Sequence, residues 1–235
     1  MKKYALILIG LYPMALYAVG QEQDKTAASS FEWGGRIGFA ATGTYLSDAY
    51  IDGKRITEYT QDTQVGHFFA LQFRLNFNRF LIQSGLGISH NKSSFSIDSK
   101  YRDSGTGTAE DIYCSYSLHS LTLPIHAGYH IINRSPYYMS VFTGPCMRYT
   151  PPKLFSTKIE NLDPYQFTES AEKFIVSWTI GMSFQIGRTF FDFEYEQSIN
   201  DITSPLSDLS GADPVPGYRL DRRIGIISFS YGIMF

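Results

Sequence analysis

Apolar and polar residues alternate with a period of two along most of this chain, most plainly at its end. From Arg223 to Phe235, Ile227, Phe229, Tyr231, Ile233 and Phe235 share one face, while Ser228, Ser230, Gly232 and Met234 share the other. A greasy face backed by a small, largely polar one predicts a strand with hydrocarbon on one side. Hydrocarbon does not tolerate an edge of unpaired backbone groups, so this strand has to close against another, most simply the first.

The same alternation recurs from Phe31 onward and predicts eight strands. The first, Phe31 to Thr42, sets Trp33, Ile37 and Phe39 against Glu32, Arg36 and Gly38; a polar loop through Asp48, Asp52, Gly53, Lys54, Arg55, Glu58 and Asp62 follows. The second, Gln64 to Phe77, sets Val65, Phe69, Leu71, Phe73, Leu75 and Phe77 against Gly66, Ala70, Gln72, Arg74 and Asn76. Asn78-Arg79 reverses tightly into the third, where Phe80, Ile82, Leu86 and Ile88 oppose Gln83, Gly85, Gly87 and Ser89. A polar loop from about Ser94 to Asp111 leads to the fourth. There Leu121, Leu123, Ile125, Ala127 and Tyr129 point outward and Ser120, Thr122, Pro124, His126, Gly128 and His130 inward. Pro124 removes a ladder donor and predicts a bulge or a locally unpaired position. Asn133-Arg134-Ser135-Pro136 turns into the fifth, Tyr137 to Tyr149, and a loop from about Thr150 to Glu172 precedes the sixth. In that strand Phe174, Val176, Trp178, Ile180, Met182, Phe184 and Ile186 form one stripe. Gly187-Arg188 reverses into the seventh, with Phe191, Phe193 and Tyr195 against Asp192, Glu194 and Glu196, before a last long loop holding Pro205, Gly211, Pro214, Pro216 and Gly217.

Tight and long connections alternate, the pattern of outer-membrane barrels with periplasmic turns and extracellular loops. The expected fold is therefore all-β: an eight-stranded antiparallel up-and-down transmembrane β-barrel over residues 31–235, with both termini periplasmic. Trp33, Phe77, Phe80, Tyr129, Tyr137, Phe190 and Phe235 are expected in the periplasmic aromatic girdle, and Tyr45, Tyr113, Tyr149 and Phe174 near the outer one.

The first residues read differently. A charged Met1-Lys2-Lys3, an apolar run from Tyr4 to Tyr17 and the small-x-small Ala18-Val19-Gly20 predict a cleaved signal peptide over residues 1–20, with residues 21–30 a polar leader. Composition adds limits. The net charge of −2, with Lys and Arg spread along the chain, supplies no basic stripe for phosphates and excludes nucleic acid as a partner. Beyond the first twenty residues no run approaches the roughly 20 apolar residues a membrane helix needs.

Candidate chemistry lies on the inward faces. Arg36, Gln72, Arg74, Gln83, Asp192, Glu194 and Glu196 are expected to form a lumen polar network, with Arg36 and Arg74 paired to the carboxylates of the seventh strand. An eight-stranded barrel is just wide enough to be filled by its side chains, so a plug is expected rather than a water channel. Glu194 and Glu196, about 7 Å apart along one strand face, read as members of that network rather than as an acid/base pair. His126 and His130 share a face about 13 Å apart, too far to chelate one metal, and hydrogen bonding in the lumen is expected of them. His90, Ser93 and Asp98 supply hydrolase residue types without a motif, so no catalytic, metal or cofactor set is assigned. Cys114 and Cys146 fall near the outer ends of the fourth and fifth strands, where a disulfide and two free thiols are both open.

Four segments carry a family resemblance in order along the chain: Asn78-Arg79-Phe80-Leu81-Ile82-Gln83-Ser84-Gly85-Leu86, Leu121-Thr122-Leu123-Pro124-Ile125, Thr143-Gly144-Pro145 and the closing Tyr231-Gly232-Ile233-Met234-Phe235. Through them the chain resembles the PorT-type outer-membrane β-barrel proteins of diderm bacteria, although Thr122 and Gly128 stand where that family often has an acidic residue and a Lys. The resemblance implies that Phe235 is an assembly signal read by the barrel-assembly machinery, and that Pro124 is tolerated in its strand. It leaves function open. The leading expectation is a non-enzymatic structural or interaction role through the extracellular loops, in the outer membrane of a Gram-negative bacterium. Transport or accessory service to protein secretion is the alternative, and an outer-membrane hydrolase or acyltransferase the third. Expected partners are outer-membrane lipid, the assembly machinery and an extracellular or secretion-system protein.

Overall fold

The structure, a computed structural model, describes residues 29–51, 53–101, 110–161, 167–168, 172–203, 207–208 and 218–235. The expected signal peptide, residues 21–28 of the expected leader, and the prolines and glycines of the last long loop lie outside the described residues. Ser29 and Ser30, assigned to the leader from sequence, instead open the first strand, where they pair with Phe77 and Asn76.

Eight long strands form one antiparallel ring: β1 (Ser29–Ile51), β2 (Thr60–Phe77), β3 (Phe80–Ile97), β4 (Ile112–Arg134), β5 (Tyr137–Tyr149), β6 (Phe174–Ile186), β7 (Thr189–Ser198) and β8 (Arg219–Met234). Each pairs with its chain neighbour, and β8 returns to β1 in continuous register from Gly34 opposite Met234 to Tyr45 opposite Arg223. The seam is completed at its lower end by a reciprocal pair of backbone bonds between Trp33 and Phe235, at 3.2 and 2.7 Å. Closure leaves no free edge in the ring, which is what a sheet in hydrocarbon requires. Among the described residues no helix is long and apolar enough to cross a membrane.

The three tight reversals, at Asn78-Arg79, Ser135-Pro136 and Gly187-Arg188, lie at one end of the ring. Asn78 and Gly187 take left-handed φ values of 56° and 58°, a region that Asn and Gly enter at low cost. Pro124 produces the locally unpaired position rather than a bulge: the β3–β4 ladder skips from Ser84–Ile125 to Gly87–Thr122 without changing register. Ser84 compensates by donating its hydroxyl to the Pro124 carbonyl at 2.9 Å.

Near the tight turns the outward face is the expected one. Trp33, Ile37, Phe39, Phe69, Leu71, Phe73, Phe80, Ile82, Leu86, Ile88, Trp178, Ile180, Phe193 and Phe229 are all exposed on it, forming a lipid-facing belt. Phe190 corrects the sequence reading, since its ring is fully buried inside the barrel instead of standing in the girdle. The parity is decisive, because Phe190 shares a face with Asp192 on β7.

Most of the strands outrun the sequence expectation. Strands β1 and β4 each hold 23 residues, about 76 Å of chain at 3.3 Å per residue. A tilt of 35–45° leaves roughly 55–60 Å of height against an apolar band of about 25 Å, so these strands continue well beyond the membrane, whereas β5, β6 and β7 hold only 13, 13 and 10 residues. Asp48 and Asp62, expected in a loop, are on β1 and β2, and Ser94–Ile97 belongs to β3. The expected loop after Tyr149 also holds a strand, Phe155–Glu160, which takes over from β5 as the partner of upper β4 after a 3-10 turn at Pro152–Leu154.

In this extension the polarity of the two faces is exchanged. Ala49, Ile51, Phe95, Ile97, Ile112, Cys114 and Leu220 point inward and are almost fully buried, packed together with Ile56 and Tyr101. A second layer below it packs Ala40, Tyr116, Leu118, Ile175, Ile202, Ile224 and Ile226. Outside stand Lys92, Ser96, Ser117 and Lys158. Each fully buried Ile, Leu or Phe contributes on the order of 1.5–3 kcal/mol, so the extension is held by an ordinary hydrophobic core.

Candidate functional site

In the lumen buried charged side chains converge, and it is built in layers. At the tight-turn end a polar vestibule of about 400 Å³ is lined by Ser30, Glu32, Asn76, Asn78, His130, Asn133, Tyr138 and Gln185. His130 meets Asn76 there, Nε2 to Oδ1 at 3.1 Å.

Arg74 closes the vestibule. It is 1% exposed, and its guanidinium donates to Gln185 Oε1 at 2.7 Å and Gln83 Oε1 at 3.2 Å, with its charge 5.8 Å from the centroid of the Phe190 ring. Gln72 donates to the same Gln83 oxygen at 3.2 Å. The expected pairing of Arg74 with a carboxylate of β7 is thus corrected: amide oxygens from β3 and β6 surround it. Sequence parity places a residue on a face but does not set its height in the barrel, and strand stagger brings Gln185 rather than Asp192 to Arg74.

One layer higher, Arg36 on β1 meets both Asp192 and Glu194 on β7, at 3.2 and 2.5 Å, and its charge lies 5.4 Å from the Phe68 ring centroid. His126 stacks on Phe142 with centroids 5.2 Å apart and meets Gln83 through Nδ1 at 3.3 Å. Glu196 has a different cation, Arg148 on β5, which donates to both carboxylate oxygens at 2.7 and 2.6 Å; Ser177 and Ser89 complete the cluster. Such fork-to-carboxylate geometry is the strong form of an ion pair. Arg148 went unassigned in the sequence because Gly144-Pro145 obscures the alternation of β5. Counting back two residues from exposed Tyr149 to Met147 would have placed Arg148 inside.

The ion-pair layers are capped by the apolar layer of Leu118 and Ile175, and above it Arg222 is fully buried between the Phe95 and Tyr116 rings, at 5.6 and 5.4 Å from their centroids. Two cavities among the polar layers, of about 40 and 30 Å³, have room for single waters. Chemically, the interior offers fixed charges: Arg36 and Arg148 are paired with carboxylates and Arg74 is held by amide oxygens.

The remaining sequence candidates are not brought together. His90 faces outward and bonds Ser117 at 2.9 Å, Ser93 is buried against Thr44 at 2.8 Å, and Asp98 is exposed beside Lys100. Cys114 and Cys146 are buried free thiols. Cys146 stands opposite Pro124, ten residues along β4 from Cys114; that is about 33 Å, against the 7 Å a bridge can span between Cα atoms. The open disulfide question is therefore answered in the negative. Among the described residues no group of three His, Cys, Asp or Glu side chains is arranged to hold a metal ion.

Comparison with known proteins agrees with this architecture. The profile described as outer membrane protein beta-barrel domain matches residues 21–204, most of the chain. The chain belongs to that family. It is an outer-membrane β-barrel of the Gram-negative type, seated in lipid. Similar solved structures include OprG from Pseudomonas aeruginosa, at 13% identity and a TM-score of 0.46, covering 90% of this chain and 99% of that one. Ail of Yersinia pestis, solved with the heparin analogue sucrose octasulfate, gives 14% identity, a TM-score of 0.38 and coverage of 88% and 99%. The protease OmpT from Escherichia coli gives 11%, 0.40, and 90% and 99%. Among curated proteins none matches the chain.

Proposed function

We propose that this family member is a sealed, non-enzymatic scaffold of the PorT type that acts through what it displays outside the cell, with both termini periplasmic and Phe235 read during assembly. The observation that carries the reading is the filled lumen above the vestibule: ion-pair layers around Arg36 and Arg148, then two apolar layers, with water-sized gaps of about 40 and 30 Å³ among the polar layers. Binding residues are commonly carried on loops held by a rigid frame, and the extension is such a frame, raised above the membrane.

Planar-bilayer recording tests the seal. Purified, heat-modifiable barrel is expected to give no steady unitary conductance at neutral pH; regular current steps would overturn it. Grafting the outer loops and extension onto an inert barrel is expected to transfer any surface-binding phenotype.

Accessory service to secretion is a second reading, supported by the vestibule of about 400 Å³, which is open on the proposed periplasmic side and rich in side-chain amides. Loss of secreted protein in a deletion strain, restored by wild type but not by a variant with the vestibule filled, such as Asn76→Trp, would favour it.

A further inference from the structure

Three histidines stand side by side on the outer face of the barrel, outside every role described above. His67 on β2 is the register partner of His90 on β3, and His90 of His119 on β4. The first two rings meet edge to face with centroids 5.2 Å apart, and the last two stack at 4.0 Å.

Their height is informative. Immediately below them on the same three strands are the exposed Phe69, Ile88 and Leu121; on β2 one further apolar residue, Val65, stands above His67, whereas Lys92 and Ser117 follow on β3 and β4. Ten residues separate girdle Phe80 from His90, about 33 Å along the strand and roughly 25 Å of height at barrel tilt, the thickness of the apolar band. The row therefore lies at the headgroup level of the leaflet on the long-loop side. Beneath it opens an apolar groove of about 370 Å³ between Ile37, Phe69, Ile88, Leu121 and Leu154, continuous with the lipid-facing belt. Among the described residues the charged or titratable groups facing His90 are His67, Lys92 and His119, none of them a carboxylate, and the turn bordering the groove carries Lys153.

We propose that the row and groove hold one phosphorylated lipid of the outer leaflet. The imidazole N–H groups and Lys92 donate to its headgroup phosphate, and an acyl chain occupies the groove. Imidazoles this close repel one another once protonated, and a phosphate between them relieves that repulsion while accepting charge-assisted hydrogen bonds. Binding therefore strengthens as pH falls through the histidine range. The choice of leaflet rests on the orientation proposed above.

The test uses full-length protein in nanodiscs containing a trace of lipid A or its dephosphorylated form, with retained lipid counted by native mass spectrometry. About tenfold preference for the phosphorylated form is expected near pH 5.5, falling below about threefold near pH 7.5. It should vanish in a His67→Gln, His90→Gln, His119→Gln variant whose gel heat-shift remains intact. Equal retention of the two lipids, or a preference the triple variant keeps, would sink the site, as would displacement of the lipid by millimolar inorganic phosphate. Independently of any variant, phosphorylated lipid should raise the histidine protonation midpoints seen by NMR in wild type; unchanged midpoints would overturn the proposal. Orientation is read separately by impermeant labelling of a Lys54→Cys variant on intact cells. Labelling without lipid preference removes the site and keeps the orientation, whereas preference without labelling removes the orientation alone.

Discussion

The lower and upper halves of this barrel share one hydrogen-bonded wall and use it in opposite ways. In the belt, Phe73 and Trp178 face out and Arg36, Arg74 and Asp192 face in; in the extension, Ser96 and Lys158 face out and Phe95, Ile112 and Leu118 face in. The backbone ladder runs straight through both. What changes is the solvent outside, hydrocarbon below and water above, so the apolar stripe moves to whichever face is drier. On β4 the move occurs between Leu118, which is fully buried, and Leu121, which is exposed. His119 sits at the crossover. A change of phase in the period-two pattern thus marks the membrane surface on a strand that itself does not stop.

Substitutions separate the two regimes. The largest effect is expected from Arg36→Ala, which leaves Asp192 and Glu194 as buried, unpaired carboxylates in the belt interior. A loss of about 3–5 kcal/mol is expected for breaking such a group, read as a lower urea midpoint in lipid, and Arg36→Met combined with Asp192→Asn and Glu194→Gln should recover most of it. In the extension the interior is apolar, so the informative change is a cavity: Ile112→Ala should cost about 2–5 kcal/mol and expose the outer loops to protease while the belt keeps its gel heat-shift. On the outer face, Phe73→Arg should cost roughly 2–4 kcal/mol near the membrane midplane and reduce the assembled fraction. The smallest effect is expected from Ser96→Lys on the outer face of the extension, within about 0.5 kcal/mol. If Phe73→Arg and Ser96→Lys proved equally harmful, the division of the wall into two solvents would fail.

The belt was legible because its alternation is unbroken: Phe69 to Phe77, Phe174 to Ile186 and Ile227 to Phe235 each keep one phase, and β5 and β6 begin and end where the pattern does. The extension was not, because a phase change looks like the end of a strand. Leu118 and Leu121 cannot share a face of one regular strand, so the expected strand stopped between them. In the lumen, parity put Arg36 and the β7 carboxylates inside, but it carries no information about height, and height decided that Arg74 meets Gln185 and Glu196 meets Arg148.

By itself the sequence determined that the wall is an eight-stranded closed sheet with lipid outside and charge within, since side-chain alternation is a local property of extended backbone. Only the tertiary structure decided which charges touch, how far the long strands run past the membrane, and that two cysteines on neighbouring strands never meet. Those outcomes depend on the stagger between strands that closes the ring, a quantity summed over the whole circumference and written in no single segment.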